Sequence, residues 1–240
     1  MPKDTLGIFK LEDQSLDKVD NVETFKLPKK CGGVIAYKKH KRSEKKDSTL
    51  VKKEGGNGTQ LFILNFANKS IENYNYVKDY VWSETNHKLL IHSTGEDSIQ
   101  NNVVHWHDAE AQKGTVIFEY KGEYKRFSLN KDGEKVAFLL DRDTTKNDLR
   151  PFELMFWKKG DKKAKAIADL NAAFLSDNWN ISDFMTPKFS DNSSRIYFGI
   201  KPITPEQDST LLDEDKAKLE IWNYKDGLLH TQQNVNLKRE

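Results

Sequence analysis

The chain has 240 residues with nearly balanced charge, 39 Lys plus Arg against 37 Asp plus Glu for a net +2, and is 36% hydrophobic and 11% aromatic. That length admits one large domain or two small ones, the aromatic share is too high for a disordered chain, and the missing basic excess argues against a general nucleic-acid or membrane-surface binder. A single cysteine, Cys31, excludes an internal disulfide framework and a multi-cysteine zinc site, and no apolar run nears the ~18 residues of a membrane span.

The first ten residues hold no apolar stretch long enough for a secretion signal, so they read either as a cytoplasmic start or as a start that is not the natural one. Residues Leu6–Leu16 lie over Leu61–Ile71 at a constant offset of 55, which aligns Leu6 with Leu61, Ile8 with Ile63, Leu11 with Phe66, Ser15 with Ser70 and, further on, Val22 with Val77. A gap-free match of this kind marks an internal repeat. It assigns 6–19 to the third and fourth strands of a repeat unit whose first two strands are missing upstream.

Phe25–Tyr37 is a diverged copy of a second element, described below. It carries Cys31 in a turn beside Gly32 and Gly33, with the nearest histidine in sequence, His40, a strand away. A reactive thiol needs a base beside it, so Cys31 reads as a turn residue. The basic run Lys38-Lys39-His40-Lys41-Arg42, with Lys45, Lys46, Lys52 and Lys53, contains Glu44 and Asp47 and no aromatic residue. A single-strand nucleic-acid groove needs stacking rings among its cations, so this run reads as a solvated loop between two strands. Gly55-Gly56-Asn57-Gly58 precedes a strand rather than a helix N-terminus, which makes it a hairpin loop and not a phosphate cradle.

The second element is a bulky residue, Ser, a polar turn, a basic residue and an apolar strand. It reads Trp82–Ile91, returns as Phe127–Phe138 and again as Phe189–Phe198. Ser83, Ser128 and Ser190 fall at one position of it, a placement that suits turn hydrogen bonding. A third element follows, a short strand with a bulky centre: Leu61–Leu64, Val103–Trp106, Leu154–Trp157 and Leu219–Trp222. The centres Leu64, Trp106, Trp157 and Trp222 are 42, 51 and 65 residues apart. With insertions removed the base period is roughly 40–50 residues, the range of four-stranded propeller blades.

His105 and His107 flank Trp106 on one face of a strand, with Asp108 and Glu110 close by. Two such imidazoles begin a transition-metal site, but no third ligand is visible, so both are expected to be structural. The next repeat predicts strands at Tyr124–Leu129, Lys135–Asp141, Glu153–Lys158 and Lys163–Asp169, with Asn130–Gly133 as a tight turn. The run Val136–Leu140 is continuously apolar, as for a strand buried on both faces. Ala164–Phe174 has the pattern of a helical turn or two, as has Thr210–Lys218 inside an insertion from Pro202. Asp141-Arg142-Asp143 and Asp213-Glu214-Asp215 lack EF-hand spacing and read as solvated loops. The fold class that follows is all-β, a β-propeller of four-stranded antiparallel blades with about four and a half blades present, a fragment of a larger ring. The blades are expected at 20–76, 77–121, 122–180 and 181–236, after the second half of an incomplete blade at 1–19.

The motif carried by Trp82-Ser83, Phe127–Phe138 and Phe189–Phe198, with third strands centred on Trp106, Trp157 and Trp222, resembles the blades of TolB-like and WD40-like propellers. It is still more similar to the N-terminal propeller of prolyl-oligopeptidase-family serine peptidases, especially large bacterial ones from Bacteroides-like organisms, and the resemblance spans about 6–236. It implies an α/β-hydrolase domain with Ser, Asp and His in the same full-length protein, a propeller that covers that site and filters peptide substrates, and a periplasmic or secreted setting. The chain itself has no Gly-x-Ser-x-Gly elbow and no phosphate-binding glycine loop. The glutamate pair with which some relatives hold a peptide amino terminus is not recognisable. No catalytic, cofactor-binding or metal residue is therefore assigned, and neither a cofactor nor a nucleic-acid partner is implied. The expected function is that of a non-catalytic gate for a hydrolase domain outside this chain. The alternative is a stand-alone propeller acting as a protein-binding scaffold.

Overall fold

A computed structural model describes residues 4–40, 58–95, 101–143, 150–203, 225 and 227–237. The chain divides into two units, Met1–Thr204 and Pro205–Glu240. The first is built almost wholly of antiparallel strands. In the second, the described element is one helix, α1 (His230–Leu237), which overlaps the end of the stretch expected for the last blade. Trp222, the expected helix at 210–218 and the acidic run at 213–215 lie outside the described residues.

The first unit opens with a hairpin of β1 (Thr5–Phe9) and β2 (Leu16–Asp20). A continuous seven-stranded sheet follows: β3 (Val22–Lys26), β4 (Val34–Lys39), β5 (Thr59–Asn65), β6 (Ser70–Trp82), β7 (Lys88–Ser93), β8 (Asn102–Asp108) and β9 (Lys113–Tyr120). Strand β6 is the joint. Its first half pairs with β5 as far as Val77, and its second half pairs with β7 from Val77 onward. It is thus the fourth strand of one four-stranded sheet and the first strand of the next. The succeeding sheet is β10 (Glu123–Leu129), β11 (Lys135–Asp141), β12 (Glu153–Lys158) and β13 (Lys165–Ala168). Last come two nested pairs, β14 (Trp179–Ile181) with β17 (Ile200–Pro202) and β15 (Lys188–Phe189) with β16 (Ile196–Tyr197), which form one interrupted hairpin. Consecutive four-stranded antiparallel sheets following one another along the chain are the blades of a β-propeller.

The 55-residue repeat recurs in the backbone. Gln14 and Lys69 both take positive φ, 55° and 56°, and so do Asn21 and Tyr76, 66° and 55°. Such angles are uncommon outside glycine, so their recurrence at one offset marks equivalent bends. The register shifts at Val22/Thr24 and at Val77/Asp79 fall at the same offset. Leu6 and Leu61 are both buried, as are Val22 and Val77.

The core is a series of seams between successive sheets. Leu89 and Ile91 of β7 pack with Val34, Ala36, Leu61 and Ile63 of the sheet before. Their neighbour Leu90 points the other way, with Val104 and Trp106, onto Val136, Phe138, Met155 and Trp157 of the sheet after. Ala137, Leu139 and Leu154 then meet Ile181, Phe189 and Ile196. Alternate residues of one strand thus enter two different seams, so every residue of Val136–Leu140 is buried and the run is continuously apolar. Burying each large aliphatic side chain this way contributes about 1.5–3 kcal/mol.

Two equivalences expected from the sequence are off by a residue or two. The backbone bonds Phe66 N–H to Gly33 O, Ala109 N–H to His87 O and Lys159 N–H to Glu134 O close the same turn in three sheets. Counting back, Leu64, His107 and Trp157 are the matching positions, and Trp106 sits one residue earlier on the opposite face. Trp106 and Trp157 are both buried, but in the same seam and against each other, with ring centroids 5.6 Å apart. Likewise Asn130, not Ser128, matches Ser83 and Ser190. Lys88 N–H donates to Ser83 Oγ at 3.2 Å, Lys135 N–H to Asn130 Oδ1 at 2.9 Å and Arg195 N–H to Ser190 Oγ at 3.0 Å. The segment with a helical pattern from Ala164 forms β13 instead, because its Lys165–Ala168 stretch completes the ladder on β12.

The turn Asn130–Gly133 needs its glycine. Gly133 has φ +73°, and a Cβ there would meet Lys88 Cβ at 2.5 Å and Ser83 Cβ at 2.8 Å, both in the preceding sheet. Gly133→Ala is expected to cost well over the roughly 1 kcal/mol of an ordinary left-handed glycine replacement. A urea midpoint equal to that of the parent chain would contradict this packing.

Candidate functional site

Strands β3, β6, β10 and β15 are the first strands of four successive sheets, and their ends line one cavity of about 710 Å³. Each ends on a lining residue: Lys26, Trp82, Leu129 and Phe189. The ends are stitched together. Trp82 Nε1–H donates to Lys26 O at 3.0 Å, and Lys26 Nζ donates to Tyr80 O at 2.7 Å while lying 4.5 Å from the Tyr80 ring centroid.

The turns just beyond the first strands carry charged residues at this end of the molecule. The residues following the matched positions 29, 83, 130 and 190 are Lys30, Glu84, Lys131 and Asp191, so the sign alternates from sheet to sheet. Lys30 pairs with Glu84 at 2.8 Å and Lys131 with Asp191 at 2.9 Å. Backbone bonds Lys30 N–H to Glu84 O and Glu84 N–H to Lys131 O run alongside. The hydrogen bond from Lys30 lowers the Glu84 carboxyl below the usual range, and that from Lys131 does the same for Asp191. These pairs are exposed and screened by solvent, so they orient the turns more than they hold the fold.

Ser83, Ser128 and Ser190 all line this cavity. The Ser83 hydroxyl donates to Asn86 O and accepts from Lys88 N–H. Ser190 Oγ donates to Asn192 Oδ1 at 2.8 Å and accepts from the Ser194 and Arg195 amides. Both hydroxyls are spent on their own turns, and neither faces an imidazole.

His105 and His107 do share a face, as their spacing implies, and both edge onto Tyr74 of the sheet before, at 5.2 and 5.6 Å between ring centroids. One nitrogen of each has a hydrogen-bond partner, and buried His107 Nε2 has none. His105 Nε2 lies 3.1 Å from Ser93 Oγ and His107 Nδ1 lies 2.9 Å from Tyr74 Oη. Burial pushes the Tyr74 phenol up to about 12, so it stays protonated and donates to Nδ1, which leaves the proton of neutral His107 on Nε2. That nitrogen is 3.4 Å from Glu72 Oε1. Burial also pulls the His107 imidazole down to about 4. The nearby acids are engaged elsewhere: Asp108 pairs with Lys88 at 2.5 Å and Glu110 with His87 Nδ1 at 2.6 Å. Among the described residues no three His, Cys, Asp or Glu side chains gather as metal ligands.

Cys31 has a closer histidine than the sequence suggested. His87 Nε2 lies 2.6 Å from Gly32 O, the next residue's carbonyl. Burial, with the Glu110 charge, nevertheless raises the Cys31 thiol, the opposite of what a nucleophile requires. Of the basic run only Lys38, Lys39 and His40 are described. Lys38 pairs with Glu23 at 3.7 Å, and Lys39 lies over the Phe62 ring. The remainder of that run and Gly55–Asn57 lie outside the described residues. In the acidic run at 141–143, buried Asp141 is bonded by Arg150 at 3.0 Å, and Arg142 clamps both oxygens of Glu153 at 2.8 and 2.9 Å. Among the described residues no helix is long and apolar enough to cross a membrane.

No protein-family model matches the chain, and no curated protein sequence matches it. Solved structures similar to it include the β-propeller domain of the Trilobed protease from Pyrococcus furiosus, at 15% identity over 68% of this chain and 49% of that one, with a TM-score of 0.44. Tricorn protease is similar at 12% identity over 76% of this chain and 16% of that one, TM-score 0.45. A prolyl endopeptidase is similar at 11% identity over 66% of this chain and 25% of that one, TM-score 0.42. The chain thus spans about half of the first and a quarter or less of the other two. None of the three is described as coming from a Bacteroides-like organism.

Proposed function

We propose that this chain is a non-catalytic propeller segment of a serine peptidase of the prolyl-oligopeptidase kind, gating and filtering peptide substrates for an α/β-hydrolase domain of the same protein. Its blades run at about 20–76, 77–121, 122–180 and 181–236, after a half blade at 1–19. The observation that carries the reading is the cavity where four first strands end. It offers apolar floor, charged rim and turn-bound hydroxyls, the equipment to admit and hold a ligand. It offers no activated nucleophile, since a serine becomes one only with a base to take its proton and preorganised donors for the oxyanion. The blade motif of Trp82-Ser83, Phe127–Phe138 and Phe189–Phe198 supports the family side of the reading.

The test is to read the coding sequence beyond Glu240. A Gly-x-Ser-x-Gly followed by Asp and then His is expected, and a stop codon or further blades alone would move the assignment to a self-standing scaffold.

A further inference from the structure

We propose that the cavity at the ends of β3, β6, β10 and β15 binds an acidic peptide segment, one with an apolar side chain flanked by carboxylates. This names the substrate class of the filter proposed above and rests on that reading only for its catalytic consequence, because binding itself needs no hydrolase domain.

The charge balance of the lining sets the sign. It holds four lysines, Lys26, Lys29, Lys131 and Lys188, against two carboxylates, Glu84 and Asp191. That excess equals the net +2 of the entire chain. Both carboxylates are already neutralised, Glu84 by Lys30 and Asp191 by Lys131. Lys29 and Lys188 have no ion pair among the described residues, and both are exposed on the rim. An incoming carboxylate therefore meets two cations that form no ion pair among the described residues, although the Lys29 charge also acts on Glu84, whereas an incoming cation meets acids that are already paired. Below the rim, Val81, Trp82, Leu129 and Phe189 form an apolar floor that gains by covering a hydrophobic side chain. The volume falls within the ~300–1,000 Å³ that holds a small ligand or a few side chains.

A single-stranded nucleic acid would need successive exposed rings along a track of cations. Here Phe127 is 8% exposed and the Trp82 indole is tied to the Lys26 carbonyl. The open cavity presents no such track of rings, and a peptide side chain suits it better than a strand of bases.

The test is isothermal titration calorimetry of the whole chain with the peptide Asp-Leu-Glu-Phe-Asp, its counterpart Lys-Leu-Lys-Phe-Lys and a short oligothymidylate. The acidic peptide is expected to bind most tightly and to weaken as salt rises. Reversing both rim lysines, Lys29→Glu with Lys188→Glu, should weaken it roughly tenfold, because two partly screened attractions become repulsions. Both positions are exposed, and circular dichroism of the variant checks its fold. Tighter binding of the basic peptide or of oligothymidylate, or an acidic peptide that binds the double variant equally well, would overturn the proposal. Failure of the peptidase reading is separable: a parent without a hydrolase domain whose propeller still takes the acidic peptide leaves this inference standing.

Discussion

Trp157→Ala should lower the stability of the chain by about 3–5 kcal/mol, the cost of emptying a large aromatic side chain from a packed seam. Trp157 is 2% exposed, its strand neighbour across the ladder is buried Val136, and its indole N–H donates to Asp161 O at 2.9 Å. The effect reaches the preceding sheet because the ring packs on Trp106, whose own N–H donates to Gly133 O at 2.6 Å. Trp106→Ala should be comparably costly. Removing both should cost less than the sum, by roughly 0.5–3 kcal/mol, since each single variant already loses the mutual contact. Equilibrium unfolding in guanidinium checks both statements. A loss below about 1 kcal/mol for Trp157→Ala, or strict additivity, would separate the two rings and dissolve the seam as described.

Acid should weaken the fold well above the pH at which its paired carboxylates titrate. His92 is buried between Tyr124 and Phe127, each ring 5.0 Å away, and its Nε2 has no hydrogen-bond partner. Burial, helped by the Lys78 charge and opposed by Asp79, pulls its imidazole from 6.5 down to about 4. The neutral form is thus the one the fold holds. The resulting stabilisation is full above pH 6.5, where the unfolded chain is also neutral, and is lost as pH falls through about 4. A shift of that size corresponds to roughly 3 kcal/mol. His107 adds to the same window: burial pulls it down to about 4, and the Asp108 charge offsets part of that cost. Asp183 acts lower down. Burial opposes its ionisation, but hydrogen bonds from Lys201 and Lys125 hold it at about 2, so its contribution is lost only as pH falls from 3.8 through that value. His92→Phe keeps the aromatic stack and removes the titration. Its melting temperature should therefore fall much less than the parent's between pH 7 and 4.5, and an unchanged slope would show that His92 is not held neutral.

The sheet pattern was legible because it is local. The third four-stranded sheet matches the strands predicted from its apolar runs and its Asp132-Gly133 turn to within a residue or two at each end. The 55-residue offset was legible for the same reason, down to the bends at Gln14/Lys69 and Asn21/Tyr76. The phase of the repeat was harder to read. Trp106 and Trp157 look alike in sequence, but a one-residue slip changes the face, and only the backbone turns show that His107 holds the place of Trp157. Ser128 was misaligned with Ser83 because Asn130 does the same capping with a different side chain. The cavity was not legible at all. Its walls come from four segments spread between Lys26 and Asp191, and the alternation of Lys30, Glu84, Lys131 and Asp191 emerges only once the turns are superposed. Tyr74 as the neighbour of both His105 and His107 likewise depends on how one sheet stacks on the next.

The central proposal is that this chain acts as a non-catalytic gate, admitting ligands without performing chemistry on them. An active-site serine phosphonate, with the labelled residue mapped by mass spectrometry, tests it most directly. The purified chain should stay unlabelled, and the full-length parent should be labelled on a serine downstream of residue 240. Stoichiometric labelling within 1–240, abolished by replacing Ser83, Ser128 or Ser190, would contradict it.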